Sequence, residues 1–302
     1  DPHAPEPVAA TDLAQGADAL RVAYRRQLLA IAGRDLTAAD PFAAMPEITA
    51  DLSDLATAAL EAGLAIARAE LPDGAAPCRI AVIGLGKCGG HELNYVSDVD
   101  VVYVVEPPVA ADAGAAAGDP GSPAAGAVTG AGAEAEASAA TGDDAEAAAL
   151  RTGTRLAACL AKVCSAATAE GTLWPVDAGL RPEGRSGPLV RTLASHVSYY
   201  ERWAATWEFQ ALLKARPVAG DLALGRAYLD AIRPMVWRAA ERENFVQDVQ
   251  AMRRRVEEHV PARDAERQLK LGPGGLRDVE FSVQLLQLVH GRADPQLRRA
   301  NT

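Results

Sequence analysis

Asp98 and Asp100, in the run Ser97-Asp98-Val99-Asp100, have the spacing in this chain that most directly implies chemistry. On a strand, alternation puts both carboxylates on one face and Val99 on the other. Carboxylates held that close raise each other's pKa unless a cation lies between them. Just upstream, the apolar run from Ile80 to Leu85 meets a glycine-rich turn. Paired acids beside a turn that a phosphate can approach are what Mg²⁺-dependent phosphoryl or nucleotidyl transfer requires. Gly86, Gly89 and Gly90 permit close backbone approach, and the N–H groups of the turn and of a following helix would favour the phosphate charge. Lys87 would add a point charge or simply be solvated. Ser97 would either bond the phosphate or cap the turn.

The same glycines allow a rival reading. Gly84-x-Gly86-x-x-Gly89 after a strand matches the dinucleotide-binding fingerprint, which is weak when it stands alone. That fingerprint needs a full crossover helix and then an acid at the far end of a second strand, about 20 residues on. Only the eight residues from Gly90 to Ser97 precede Asp98, too few for the helix, and both acids open the second strand. Glu106 is the residue that would fill the ribose-binding role by count. A P-loop is excluded, because Gly86-Lys87 lacks the glycine spacing and the following Ser or Thr.

These acids need elements to hold them. Helix-like periods run over about Asp12–Asp35, with Asp12 as N-cap, and about Ile48–Ala69, ended by Pro72-Asp73-Gly74. Strands are expected at about Arg79–Leu85 and Val99–Val105, with a third at Leu173–Leu180. Residues 1–10 read as disordered. Residues 107–144 hold small residues with almost nothing large to bury, and read as a disordered insertion. A helix resumes at about Asp144–Ala167. Helical patterns follow at about Leu193–Trp203, Ala205–Ala215, Leu222–Ile232, Arg238–Glu258 and Arg277–Val289.

At 302 residues the chain has room for two modest domains. Alanine inflates its 49% hydrophobic content, and aromatics are only 5%, which points to Ala/Leu-packed helices. The net charge of −10 misleads, since seven acids and no Lys or Arg fall in residues 107–150. No basic stripe with interleaved aromatics suggests nucleic acid. No apolar run approaches the about 18 residues of a membrane span. The start resembles no signal peptide, and Cys78, Cys88, Cys159 and Cys164 read as reduced thiols, so a cytoplasmic location is expected. Cys88 reads as a packing residue. A start without Met and an end at Asn301-Thr302 suggest a piece of a longer protein.

GLGKCGGHELNYVSDVDVVYV, VDAGLRPEGRSGPLV, TWEFQALLKARPVAGD and KLGPGGLRDVEFSVQLLQL, in that order between Ile80 and Leu288, together resemble the glutamine synthetase adenylyltransferase family. These bifunctional bacterial enzymes contain two nucleotidyltransferase halves of the polymerase-beta type. The LGPGGLRDVEF form is similar to the first half, which removes AMP from the synthetase by phosphorolysis. The alanine-rich composition is similar to actinobacterial members, and the insertion after Glu106 departs from the family pattern. The resemblance implies an α+β fold: a few-stranded mixed sheet flanked by helices, then the start of a helical bundle. The expected units are an N-terminal helical segment at 1–75, the nucleotidyltransferase domain at 76–217 and the bundle at 218–302.

By the same resemblance Asp98 and Asp100 are a metal-binding pair for Mg²⁺. Asp177 is the third carboxylate, completing the metal site or deprotonating an attacking oxygen. Without the flanking blocks of the resemblance, Asp98 and Asp100 would read equally as an N-capping turn with a solvated strand end. Arg181 and Arg185 suit bidentate phosphate contacts. Lys214 and Arg216 lie in a block similar to the family's helix facing the nucleotide. Trp207 reads as core, and Asp278 and Glu280 as structural or interdomain residues. The implied partners are glutamine synthetase, ATP or ADP, inorganic phosphate and a nitrogen-signalling regulatory protein. The alternatives are adenylylation by ATP, a regulatory module without turnover, and the dinucleotide-binding protein considered above.

Overall fold

The computed structural model describes residues 13–109, 131–258, 260–261 and 267–302. Two apolar runs form its centre, β1 (Arg79–Gly84) and β2 (Val99–Glu106), paired antiparallel. Both are buried nearly end to end. Antiparallel strands show such continuous runs only when both faces are covered. Alternation divides their side chains. Ile80, Val82, Val101, Tyr103 and Val105 enter one core, and Ala81, Ile83, Val102 and Val104 the other.

The first face is covered by α1 (Leu13–Leu36), α2 (Pro41–Ala69) and α4 (Ala131–Ser165). The fully buried Arg21 of α1 donates to Val163 O of α4 and Gly171 O, both at 2.8 Å, which ties the helices together. The second face is covered by α5 (Leu193–Arg202), α6 (Thr206–Leu212), α7 (Leu222–Arg238), α8 (Phe245–Glu258) and α9 (Leu276–His290). Three short strands complete the sheet. These are β3 (Val176–Asp177) and β4 (Val190–Arg191), both parallel to β2, and β5 (Arg216–Gly220), antiparallel to β1. The five strands make the small mixed sheet that the resemblance implied. No helix among the described residues is long and apolar enough to cross a membrane.

Several boundaries depart from expectation. Asp40 caps α2 through the amides of Phe42 and Ala43, with Pro41 in the first turn, so that helix begins seven residues before Ile48. Helix α4 begins at Ala131, so residues 131–144 are helical and not disordered as expected, consistent with alanine's propensity. Residues 1–12 and 110–130, on which the other disorder expectations fall, lie outside the described residues. The third strand shrinks to Val176–Asp177. The expected helix at 238–258 is divided: α7 continues through Pro234 to Arg238, and the chain turns at Asn244 (φ 60) before α8. Strand β5 was not foreseen. It contains residue 217, so the expected domain boundary cuts a strand. The N-terminal helices share the sheet's core and do not form a unit apart from it.

His196 of α5 is buried between Tyr200 and Tyr228 on the second face. Its Nε2 lies 3.2 Å from Tyr103 O, whereas Nδ1 has no partner among the described residues. A second N–H would be unsatisfied there. Burial, with Arg191 nearby, pushes its pKa down to about 4. The unfolded chain, at an ordinary value near 6.5, therefore takes up this proton first as pH falls. Stability present above pH 6.5 is lost progressively toward pH 4, by on the order of 3 kcal/mol. Denaturant titrations at pH 7 and pH 4.5 should show a smaller loss for His196→Gln than for wild type. An identical loss would count against this assignment.

Candidate active site

Asp98 and Asp100 have the parity of Val102 and Val104, so they face the helices of the second side. Parallel pairing sets Asp100 directly beside Asp177 of β3. One carboxylate oxygen from each of Asp98, Asp100 and Asp177 lies within 4.8 Å of the others. Asp98 is exposed and the other two are partly buried. Burial, then the charges of Asp98 and Asp177, push the Asp100 carboxyl up to about 6, while Arg277 and Lys270 act in the opposite sense.

The glycine turn serves this cluster by its size. Gly86 sits at φ +51, and a Cβ there would strike the Asp100 carboxylate. The amide of Leu85 donates to Asp100 O at 2.8 Å, which fastens the turn to β2. The expected phosphate cradle is altered. The following helix is a single turn, α3 (Gly86–Gly89), and the amides of Gly89 and Gly90 donate within it to Leu85 O and Gly86 O. Burial raises the Cys88 thiol to about 11, in keeping with a packing role. All four cysteines are free.

The basic residues singled out in the sequence divide by what they touch. Arg181 donates to Gly187 O, Ala178 O and Arg185 O at 2.8–3.1 Å, so it braces its own loop. Arg185 is largely exposed, 3.6 Å from Asp177. Arg216 opens β5 and is not helical. It bonds Cys88 O at 2.9 Å, behind the turn. Lys214 is buried, paired with Glu92 and with Glu280 at 3.4 Å. Lys87 donates to Asn94 at 3.2 Å, and burial together with Lys270 lowers its pKa. Ser97 is half-buried beside Asp98.

A cavity of about 300 Å³ opens over Asp98, Asp100 and Gly86. Lys270 and Arg277 line it, supplied by the loop before α9 and by α9 itself. Both are new to the site. Lys270 and Arg277 both lie in the KLGPGGLRDVEF block already singled out, so only their roles were missed. Trp207, expected in the core, is half-buried and lines the cavity, as do Gln210, Phe281 and Gln284. Glu280 joins them and bonds Arg277 at 3.1 Å. Asp278 instead holds Arg253 and the amide of Gly274 at 2.6 Å, shaping the loop.

A family model described as glutamate-ammonia ligase adenylyltransferase matches residues 6–121 and 132–231. The segment expected to depart from the family, residues 107–144, is thus covered except for residues 122–131. A second, described as GlnD PII-uridylyltransferase, matches residues 250–301. A bifunctional glutamine synthetase adenylyltransferase/adenylyl-removing enzyme of Streptomyces avermitilis is 57% identical over 292 residues, 96% of this chain and 26% of its own length. Its namesake in Streptomyces coelicolor is 58% identical, over 94% of this chain and 25% of its own. That of Bifidobacterium longum is 52% identical, over 100% of this chain and 25% of its own. The chain therefore spans about a quarter of the length of the curated relatives it matches.

Proposed function

The chain belongs to the glutamate-ammonia ligase adenylyltransferase family, and on that premise we propose that it removes AMP from a tyrosyl-adenylylated glutamine synthetase by phosphorolysis. The observation that carries the reading is a cluster of three carboxylates, two of which line one small cavity together with Lys270 and Arg277. The donor set fits Mg²⁺, a hard cation that takes oxygen ligands, and Asp98, Asp100 and Asp177 would hold it. When bound, such an ion neutralises phosphoryl charge.

Lys270 and Arg277, with Arg185 at the rim, hold the incoming phosphate in line with the scissile bond. An oxygen of that phosphate bonds to the AMP phosphorus as the tyrosyl oxygen–phosphorus bond breaks. ADP forms, and the tyrosine oxygen leaves with the bonding pair and takes up a proton. Arg181 acts at one remove, by bracing the loop that presents Arg185. A cytoplasmic location and control by a nitrogen-signalling protein belong to the same proposal.

The test offers the chain adenylylated synthetase with inorganic phosphate, and separately unmodified synthetase with ATP. Phosphate-dependent release of ADP is expected. Labelling of unmodified synthetase without such release would reverse the direction in favour of adenylylation. Arg277→Ala and Lys270→Ala should each raise the KM for phosphate by roughly tenfold or more, since each removes a charge-assisted contact. Unchanged phosphate saturation in both variants would remove these cations from the proposal.

A further inference from the structure

Arg277 is the second residue of α9, and its amide donates to Lys270 O at 2.9 Å. A cation in the first turn meets the positive end of the helix dipole. Left alone there, an arginine would swing toward solvent, and binding an anion would cost the freezing of a rotamer-rich side chain. Glu280, one turn on and also lining the cavity, opposes this. Its Oε2 lies 3.1 Å from Arg277 Nη1 and its Oε1 3.4 Å from Lys214 Nζ, so each carboxylate oxygen faces one cation. The Nε of Arg277 is buried, although a third of the side chain is exposed. Lys214 is fixed in turn. It is buried, pairs with Glu92, and packs its stem against the glycine turn, where a Cβ on Gly90 would come within 3.2 Å of Lys214 Cδ.

We infer that Glu280 is a positioning residue: anchored by Lys214, it holds the Arg277 guanidinium in the cavity, ready for the incoming phosphate. The inference rests on the proposed function, which sets that phosphate at Arg277 and Lys270. Two effects of Glu280 compete. Its negative charge repels phosphate, while its hold on Arg277 spares the arginine an ordering cost on binding. The repulsion is weak, because the charges of Glu92, Glu280, Lys214 and Arg277 cancel. The hold wins, since a charge-assisted hydrogen bond depends steeply on the placement of its donor. Substitution separates the two. Glu280→Gln keeps the length and one acceptor oxygen but drops the charge, and Glu280→Met keeps the length and loses both oxygens.

The test is calorimetric titration of the 302-residue chain with inorganic phosphate, Mg²⁺ present. Glu280→Met should bind phosphate roughly fivefold to tenfold more weakly than wild type, and Glu280→Gln within about twofold of it. In an Arg277→Ala background, Glu280→Met should add no more than about a twofold loss, since its effect passes through the arginine. Melting curves confirm that each variant is folded. Tighter or unchanged binding by both Glu280 variants overturns the inference, and so does a full second loss in the double variant. Should Glu280→Met not fold, wild type decides: NMR relaxation of the Arg277 Nε–H before phosphate is added should give an order parameter above about 0.6, and a lower value overturns the inference. Failure of wild type to bind phosphate overturns both the inference and the proposed function. The expected binding pattern in a chain that releases no ADP from adenylylated synthetase overturns only the proposed function.

Discussion

Asp100→Asn is expected to lower nucleotidyl transfer by about three orders of magnitude or more, and Asp98→Asn by a comparable factor. The proposed metal site has three carboxylates within 4.8 Å of one another, so each supplies a large share of the charge that would hold a divalent ion. Losing several kcal/mol of transition-state stabilisation corresponds to a factor of that size. The fold should survive. Burial and two neighbouring anions hold the Asp100 carboxyl at about 6, so its charge is disfavoured in the folded state. A neutral amide of the same shape relieves that repulsion, and metal-free Asp100→Asn should melt no lower than wild type. Both halves must hold together. Activity near the wild-type level at saturating Mg²⁺ would refute the carboxylate assignment, and a large fall in melting temperature would recast Asp100 as a structural residue.

Gly89→Ala should be the most destabilising of the single-methyl additions at the turn, at about 3 kcal/mol or more. A Cβ on Gly89 would overlap both Lys214 O and Gly84 O. Both are backbone atoms, and the pairing of Gly84 with Arg216 fixes the adjoining strands. Neither can yield without parting β1 from β5. Gly86→Ala meets a different obstacle, the far end of the Asp100 side chain. It should cost only about 1 kcal/mol for the left-handed backbone, yet displace the carboxylate and abolish turnover. Urea titrations and transfer assays on the two variants should therefore rank them in opposite senses. Equal stability losses would mean that the turn is softer than its contacts imply.

Much of the site's ingredient list was legible because local rules govern it. The continuous apolar runs at Arg79–Gly84 and Val99–Glu106 specify buried strands whatever surrounds them. The alternation within Asp98-Val99-Asp100 puts the two carboxylates on one face with no tertiary information. Helices α1, α5 and α9 were readable from the 3.6-residue period of their apolar side chains. Strand β5 was not, because five residues beginning Arg-Pro carry too short a pattern to separate from the helix before them, and only pairing with β1 makes them a strand.

Cations show the same divide. An arginine's type announces a charge but not its partner. Arg181 spends its guanidinium on three carbonyls of its own loop, a choice set by the path from Ala178 to Gly187. Lys270 and Arg277 stand some 170 residues after Asp100 and meet it only because α9 packs against the sheet's second face. Residue type and short-range period thus determined which groups could bind metal and phosphate. Long-range packing alone decided which of them share a cavity, because burial and hydrogen-bond partnership are properties of pairs far apart in the chain.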